Sequence, residues 1–320
     1  MRTLAGHTKD VRAVAYGPDG ILVSGGSDRT VRVWNPLTGE HVRTLKAGTP
    51  VYAVAVSPDG TTLAHAGRHP TANPPVATPV QTFLLGAGTP GYTFHSPTMT
   101  ARTVAPPHRA LPTQYPRSVW SLSYSADGRY LAAAGRVMGG GNFPNGGGGH
   151  WFRPNDASAH GPLAEWRAYA LRFAPDGHRL AVTGDAVVRF YAGPEEPEPV
   201  VSYPLPSQWA AAVAFVPGTL TAVVGVNSAL FFLDATTRRK PRKAKTGFRT
   251  VTAVAATPDG RAVVVGGRPA GVEVYDPDSG TLRVRYDFGL GGVNAVAVAP
   301  DGLTFAVGGD DGLAVFDFEG

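Results

Sequence analysis

Cysteine is absent from this 320-residue chain, so disulfides and thiolate metal sites are excluded and the redox compartment is left open. Long apolar runs are absent too: none approaches the roughly 18 residues that a membrane span needs. The first residues show no charged stretch leading into an apolar core of about 7–15 residues, so no signal peptide is expected. Cytoplasmic residence is the expectation, with no membrane partner. Helical patterning is also missing. No segment carries apolar residues at helical spacing over three turns, and 29 prolines and 41 glycines punctuate the chain. What the chain does have is a tripeptide that keeps returning.

Pro-Asp-Gly occurs at 18–20, 58–60, 175–177, 258–260 and 300–302, with weaker copies at Ala126-Asp127-Gly128 and Val216-Pro217-Gly218. The glycines fall at 20, 60, 128, 177, 218, 260 and 302, in steps of 40, 68, 49, 41, 42 and 42 residues. Each copy sits between two runs of small apolar residues, such as Val11 to Tyr16 and Ile21 to Ser24. The first run alternates with period two, a strand pattern. Proline fixes φ near −65° in the turn, aspartate accepts local backbone bonds, and glycine supplies the positive φ. Thr30 to Trp34 and His41 to Leu45 read as third and fourth strands, joined by the turn at 35–40. A period near forty with one such hairpin per unit signals radial repetition, because a lone four-stranded unit cannot bury both faces. Small alanines and valines suit sheets packed flat on one another.

These repeats resemble the WD-repeat family of β-propellers over essentially the whole chain, 1–320, taken as one domain. The first repeat carries the likeness best: Gly6-His7, Ser24, Asp28 and Trp34-Asn35 stand where that family has its Gly-His pair, strand hydroxyl, turn aspartate and Trp-Asp. The resemblance implies a blade-stiffening network of His7, Ser24, Asp28 and Trp34. The other repeats lack the Gly-His pair in register and replace Trp34 by Tyr275, Phe316 or Leu233, so packing is expected to carry them. The last copy ends at a third strand, Gly312 to Phe318, while Met1 to Ala5 resembles a fourth strand. The expected fold is therefore all-β: seven four-stranded antiparallel blades, closed by an N-terminal strand joining the last blade.

Three features depart from the repeat. The net charge of +5 is concentrated in Arg238, Arg239, Lys240, Arg242, Lys243 and Lys245, expected as one turn between third and fourth strands of the fifth blade. Glu195, Glu196 and Glu198 occupy the same point of the fourth. The basic turn could clamp phosphates, so nucleic acid is a candidate partner, although no aromatic is interleaved for base stacking. Excess length falls at about 68–118 in the second blade and 136–162 in the third, with Arg68 to Pro79 and Arg136 to Gly149 expected to extend the loops between second and third strands, on the face of His7 and Asp28. Drift would explain loops of glycine and proline. Their aromatics Tyr92, Phe94, Tyr115, Phe143, Trp151 and Phe152 favour instead a partner surface on long loops. Six of nine histidines lie between 65 and 160, which keeps a metal or ligand site at the channel mouth, using His150, His160 and Asp156, as an alternative.

The run GGGNFPNGGGGH lacks the Gly-Lys-Ser/Thr ending and the following helix of a phosphate loop. His7, Ser24 and Asp28 are not taken as a catalytic triad, since a strand-interior hydroxyl has no oxyanion hole beside it. No catalytic or cofactor-binding set is expected. The reading is a non-enzymatic interaction scaffold, monomeric by itself, that binds a protein or peptide through a face of the ring and the long loops of blades 2 and 3.

Overall fold

In the computed structural model the described residues are 1–67, 80–85, 102–104, 118–136, 148–154, 156–164, 168–196, 198–207, 210–287 and 289–318. They contain strands and turns and no helix. Seven antiparallel sheets of four strands follow one another, each ordered from first strand to fourth. Blade 1 comprises Val11–Tyr16, Leu22–Gly26, Thr30–Trp34 and His41–Lys46; blade 2 comprises Val51–Val56, Thr62–Gly67, Val80–Leu84 and Arg102–Val104. Blade 3 uses Ser118–Tyr124, Leu131–Arg136, Gly149–Arg153 and Asp156–Ala164, and blade 4 uses Ala170–Phe173, Leu180–Gly184, Val187–Tyr191 and Val201–Pro204. Blade 5 runs Ala210–Phe215, Thr221–Val226, Ala229–Asp234 and Arg242–Lys245. Blade 6 runs Thr250–Ala256, Val263–Arg268, Val272–Tyr275 and Leu282–Tyr286. Blade 7 takes Val293–Val298, Thr304–Gly309 and Gly312–Asp317 from the end of the chain and Arg2–Thr3 from its start.

The first strand of each blade touches the first strands of both neighbours, and the seventh touches the first, so the seven sheets close a ring. Closure is a strand pairing: Arg2 faces Val315, Thr3 faces Ala314, and Leu4 N–H donates to Leu313 O at 2.8 Å. The Pro-Asp-Gly turns make the hairpins as their chemistry requires. Gly20 N–H donates to Gly17 O at 3.0 Å, Gly20 has φ of 82°, and Asp59 Oδ1 accepts Thr61 N–H at 3.0 Å in the next repeat. Ser57, Ser125 and Thr257 precede three of these turns and donate their hydroxyls to the turn aspartate at 2.5, 2.6 and 2.5 Å.

The core is divided among seven seams, one apolar cluster between each pair of blades. Sheets can approach this closely because one rung of the second strand is small. A Cβ on Gly25, Gly225 or Gly266 would lie 2.4 Å from the Cγ1 of Val51, Val251 or Val293 in the following blade, and one on Gly308 2.7 Å from Val11 Cγ1.

The extra length falls where the sequence reading puts it in the connections from second to third strands of blades 2 and 3, and in blade 2 in two further connections as well. In blade 3 the third and fourth strands occupy most of 136–162, leaving 137–147 as the added connection between second and third strands. In blade 2, Val80–Leu84 is the third strand, so the excess splits into 68–79, 86–101 and 105–117. Connections from second to third strands and from fourth strand to the next blade leave from the face that carries His7; the others leave from the Pro-Asp-Gly face. By connectivity 68–79, 105–117 and 137–147 attach to the His7 face, and 86–101 to the opposite one. The basic segment is likewise only half turn: Arg242, Lys243 and Lys245 belong to an outer strand.

Candidate functional site at the mouth of the central channel

Blade 1 brings His7, Ser24, Asp28 and Trp34 together at its outer corner. Trp34 Nε1–H donates to Ser24 Oγ at 2.8 Å, Ser24 and His7 Nε2 share a 2.7 Å bond, and His7 Nδ1 meets Asp28 Oδ2 at 2.9 Å. An ionised carboxylate only accepts, so Nδ1 bears the proton and Nε2 accepts from Ser24. Asp28 also accepts Thr8 N–H at 3.1 Å and the Thr30 hydroxyl at 2.7 Å. Every polar member therefore has a partner, the condition under which a buried network stabilises. Burial holds the imidazole of His7 below its ordinary pKa against the pull of Asp28. For Asp28, burial pushes upward but is outweighed by hydrogen bonds from Thr30 and Thr8 and by His7, leaving its carboxyl below the usual range. Trp34 is wholly buried, and the histidine and aspartate side chains are nearly so, which places this set in the scaffold rather than on a reactive surface.

Blade 6 carries a different polar latch where packing alone was expected. Phe248 occupies the space that His7 fills in blade 1, and Glu273 stands at the rung of Arg32. The Glu273 carboxylate, 1% exposed, accepts Gly247 N–H at 3.0 and 3.1 Å and the Tyr275 hydroxyl at 2.7 Å, with Arg285 Nη1 at 3.5 Å. Burial, then the bond to Glu273 and its charge, raise the Tyr275 phenol above its ordinary pKa. One acidic residue amid a valine-rich strand was the available sequence signal.

The seven inner strands surround a channel with a chamber of about 450 Å³ toward the Pro-Asp-Gly face and a smaller one of about 120 Å³ toward the His7 face. Six inner strands skip one residue in their pairing at the same place, at Arg12, Tyr52, Trp120, Ala211, Thr252 and Asn294. A bulge re-aims a side chain out of the alternation. All six line the smaller chamber. Tyr169 holds the matching position in blade 4 and stacks on Trp120, ring centroids 5.7 Å apart. The Arg12 guanidinium lies 6.0 Å from the Tyr52 ring centre. Across the mouth, Arg268 grips both oxygens of Asp310 at 2.9 Å, and Asn294 donates to Asp310 at 3.0 Å and to Val11 O at 3.1 Å. The hydrogen bond from Arg268, against burial, keeps the Asp310 carboxyl below its usual range. One side of the mouth is thus cross-linked by polar groups and the other, on blades 1 to 4, is aromatic and cationic. The sequence expectation missed these residues; their signal was one polar or bulky residue after the leading valine in five of the seven inner strands.

Of the residues expected from sequence to form a partner surface, Trp151 and Phe152 are described. Tyr92, Phe94, Tyr115 and Phe143 lie outside the described residues. Phe152 is 5% exposed and belongs to the seam of blades 2 and 3, so it is core and offers nothing to a partner. Trp151 packs edge-on to Tyr130, 5.9 Å between ring centres, in the seam of blades 3 and 4. His150, His160 and Asp156 sit on the third and fourth strands of blade 3, not at the channel mouth, because the channel is walled by first strands. Among the described residues no three histidine, aspartate or glutamate side chains gather as around a metal ion.

In the basic segment, Arg242 lies over the Phe232 ring at 4.4 Å and Lys243 over Phe231 at 5.5 Å, so the aromatics missing from its sequence come from the neighbouring strand. Arg242 also donates to Pro277 O, and Arg239 lies 3.9 Å from Asp234. Arg238, Lys240 and Lys245 are exposed. In the acidic turn Glu195 accepts from Arg153 and from the Tyr130 hydroxyl, bonds that lower its pKa. No helix of the described residues is long and apolar enough to cross a membrane.

Comparison with known proteins reaches the two blades beside the closure. A family model described as "WD domain, G-beta repeat" matches residues 1–35 and 286–316. An uncharacterized WD repeat-containing protein of Synechocystis sp. is 44% identical over 64 residues, 19% of this chain and 18% of its own. Small ribosomal subunit protein RACK1z of Arabidopsis thaliana is 41% identical over 68 residues, 21% of each chain. Eukaryotic translation initiation factor 3 subunit I of Aspergillus fumigatus is 42% identical over 64 residues, 20% of this chain and 19% of its own. The chain thus spans only about a fifth of these relatives' lengths, and those stretches alone would identify a repeat rather than a fold. Joined to seven blades of one topology, latched by the chain's own first strand, they place it in the WD-repeat β-propeller family.

Proposed function

We propose that the chain is a protein-interaction module without catalytic activity of its own, which seats a peptide segment of its partner over the channel mouth on the His7 face. The observation that carries this reading is the cluster of Arg12, Tyr52, Trp120 and Tyr169 on blades 1 to 4. Bulges turn the first three into the mouth, and aromatic and arginine side chains are the usual anchors of an interface. The added connections 68–79, 105–117 and 137–147 attach to the same face in blades 2 and 3, beside Tyr52 and Trp120, where long loops on a rigid frame would extend the contact.

The test is quantitative affinity capture with wild type, Trp120→Ala and a variant whose 137–147 segment is replaced by Asn-Gly. Loss of a central anchor costs about 2 kcal/mol or more, roughly a 30-fold drop in affinity. Partners recovered by wild type should therefore be lost with Trp120→Ala and reduced with the shortened loop. Equal recovery by all three, with melting curves showing each folded, rejects the mouth as the docking site.

A further inference from the structure

Counting three residues back from each turn proline, or its substitute, gives Ala15, Ala55, Ser123, Arg172, Ala214, Ala255 and Ala297. Six are small. The seventh, Arg172, lines both chambers of the channel, so its side chain lies where the larger passes into the smaller. Its side chain is exposed to the water of the channel, whose walls are the seven first strands. No hydrogen bond or ion pair to its side chain occurs among the described residues, and no aspartate or glutamate lines either chamber. Arg12 at the mouth, which pairs with Asp10, is the other cation in the lining.

Arg172 thus presents a guanidinium to the channel with no acidic side chain in the lining to take it, and a planar guanidinium is shaped for two parallel bonds to a carboxylate. Around it the larger chamber is walled by Val54, Tyr124, Phe173, Phe215 and Val254 and has the size of a small-molecule pocket. Ser123 supplies a second donor. Its oxygen accepts Phe173 N–H at 3.2 Å, while its proton has only a long 3.4 Å contact with Tyr124 O.

We propose that the central channel binds a small organic carboxylate, its head held by Arg172 and Ser123 and its apolar body in the larger chamber, entering from the Pro-Asp-Gly face. This site is separate from the docking surface proposed above and does not depend on it.

Isothermal titration of the full chain with benzoate, and with neutral benzamide as control, tests the assignment. Benzoate should bind at least about tenfold more tightly than benzamide, the share of a charge-assisted pair of bonds. Arg172→Ala, which installs the residue of five sister blades, should remove that preference and should not lower the melting temperature in benzoate-free buffer. Arg172→Lys, which keeps the charge without the fork, should weaken benzoate binding while retaining a preference over benzamide. Benzoate and benzamide binding alike to wild type, equal benzoate binding by wild type and Arg172→Ala, or no binding up to about 10 mM would each overturn the proposal.

Discussion

His65 shows how one rung of a repeat takes on different chemistry. The position that holds Ser24 in blade 1 holds valine at 182, 224, 265 and 307, but in blade 2 it is a histidine, 3% exposed, stacked on Phe83 at 5.2 Å. Its Nε2 has no hydrogen-bond partner among the described residues, and burial lowers its pKa to about 4. The unfolded chain, with a histidine pKa near 6.5, binds the proton first, so stability is full above that pH and is lost as pH falls toward 4. By pH 4 the loss amounts to about 3 kcal/mol. His7, also lowered, adds to the same acid sensitivity. His65→Val should therefore flatten the decline in urea-unfolding stability between pH 6.5 and 4 relative to wild type. An unchanged pH profile would show that His65 is protonated without penalty.

A single rung of the second strand sets the spacing between blades. Four blades have glycine there, and blades 2, 3 and 4 have Ala66, Ala134 and Thr183, the last donating its hydroxyl across the seam to Ala210 O at 2.7 Å. The seams have therefore been adjusted one at a time. Gly266→Ala puts a methyl 2.4 Å from Val293 Cγ1, and β-branched valine cannot swing clear. The expected cost is about 1–3 kcal/mol, and trimming the neighbour with Val293→Ala should recover part of it. Additive losses in denaturant titrations would mean that the two sites do not press on each other. Strands and turns were legible because alternation and turn chemistry are local. The bulged residues at the mouth were not: a bulge breaks alternation by one residue, and sequence alone does not say which way Tyr52 or Trp120 points. Glu273 was hidden for a similar reason, its partners Gly247 and Arg285 being brought in by pairings distant in sequence.

For the whole molecule, the number of blades and the manner of closure were readable from the spacing of seven glycines and the missing fourth strand of the last repeat. The added connections between second and third strands of blades 2 and 3 were readable as well; the further excess of blade 2 at 86–101 and 105–117 was not, since long connections erase the period that locates strands there. Closure itself makes a prediction. Removing residues 1–5 takes away Arg2–Thr3 and the buried Leu4, leaving Gly312–Asp317 with an unpaired edge. Such edges recruit other strands. The truncated chain should melt at a lower temperature and form concentration-dependent oligomers in size-exclusion chromatography, and adding a peptide of residues 1–8 in trans should reverse both. A truncated chain that stays monomeric and melts with wild type would show that the latch is dispensable.

The latch also sets a timetable. Six sheets can be completed in the order in which the ribosome delivers their strands. The remaining one joins Arg2–Thr3 to Gly312–Asp317, so the former must wait for its mate until all the other blades have been made. In the closed ring the Arg2 guanidinium also donates to the carbonyls of Pro36 and Leu37, so the late-pairing strand is tied to blade 1 as well as to blade 7.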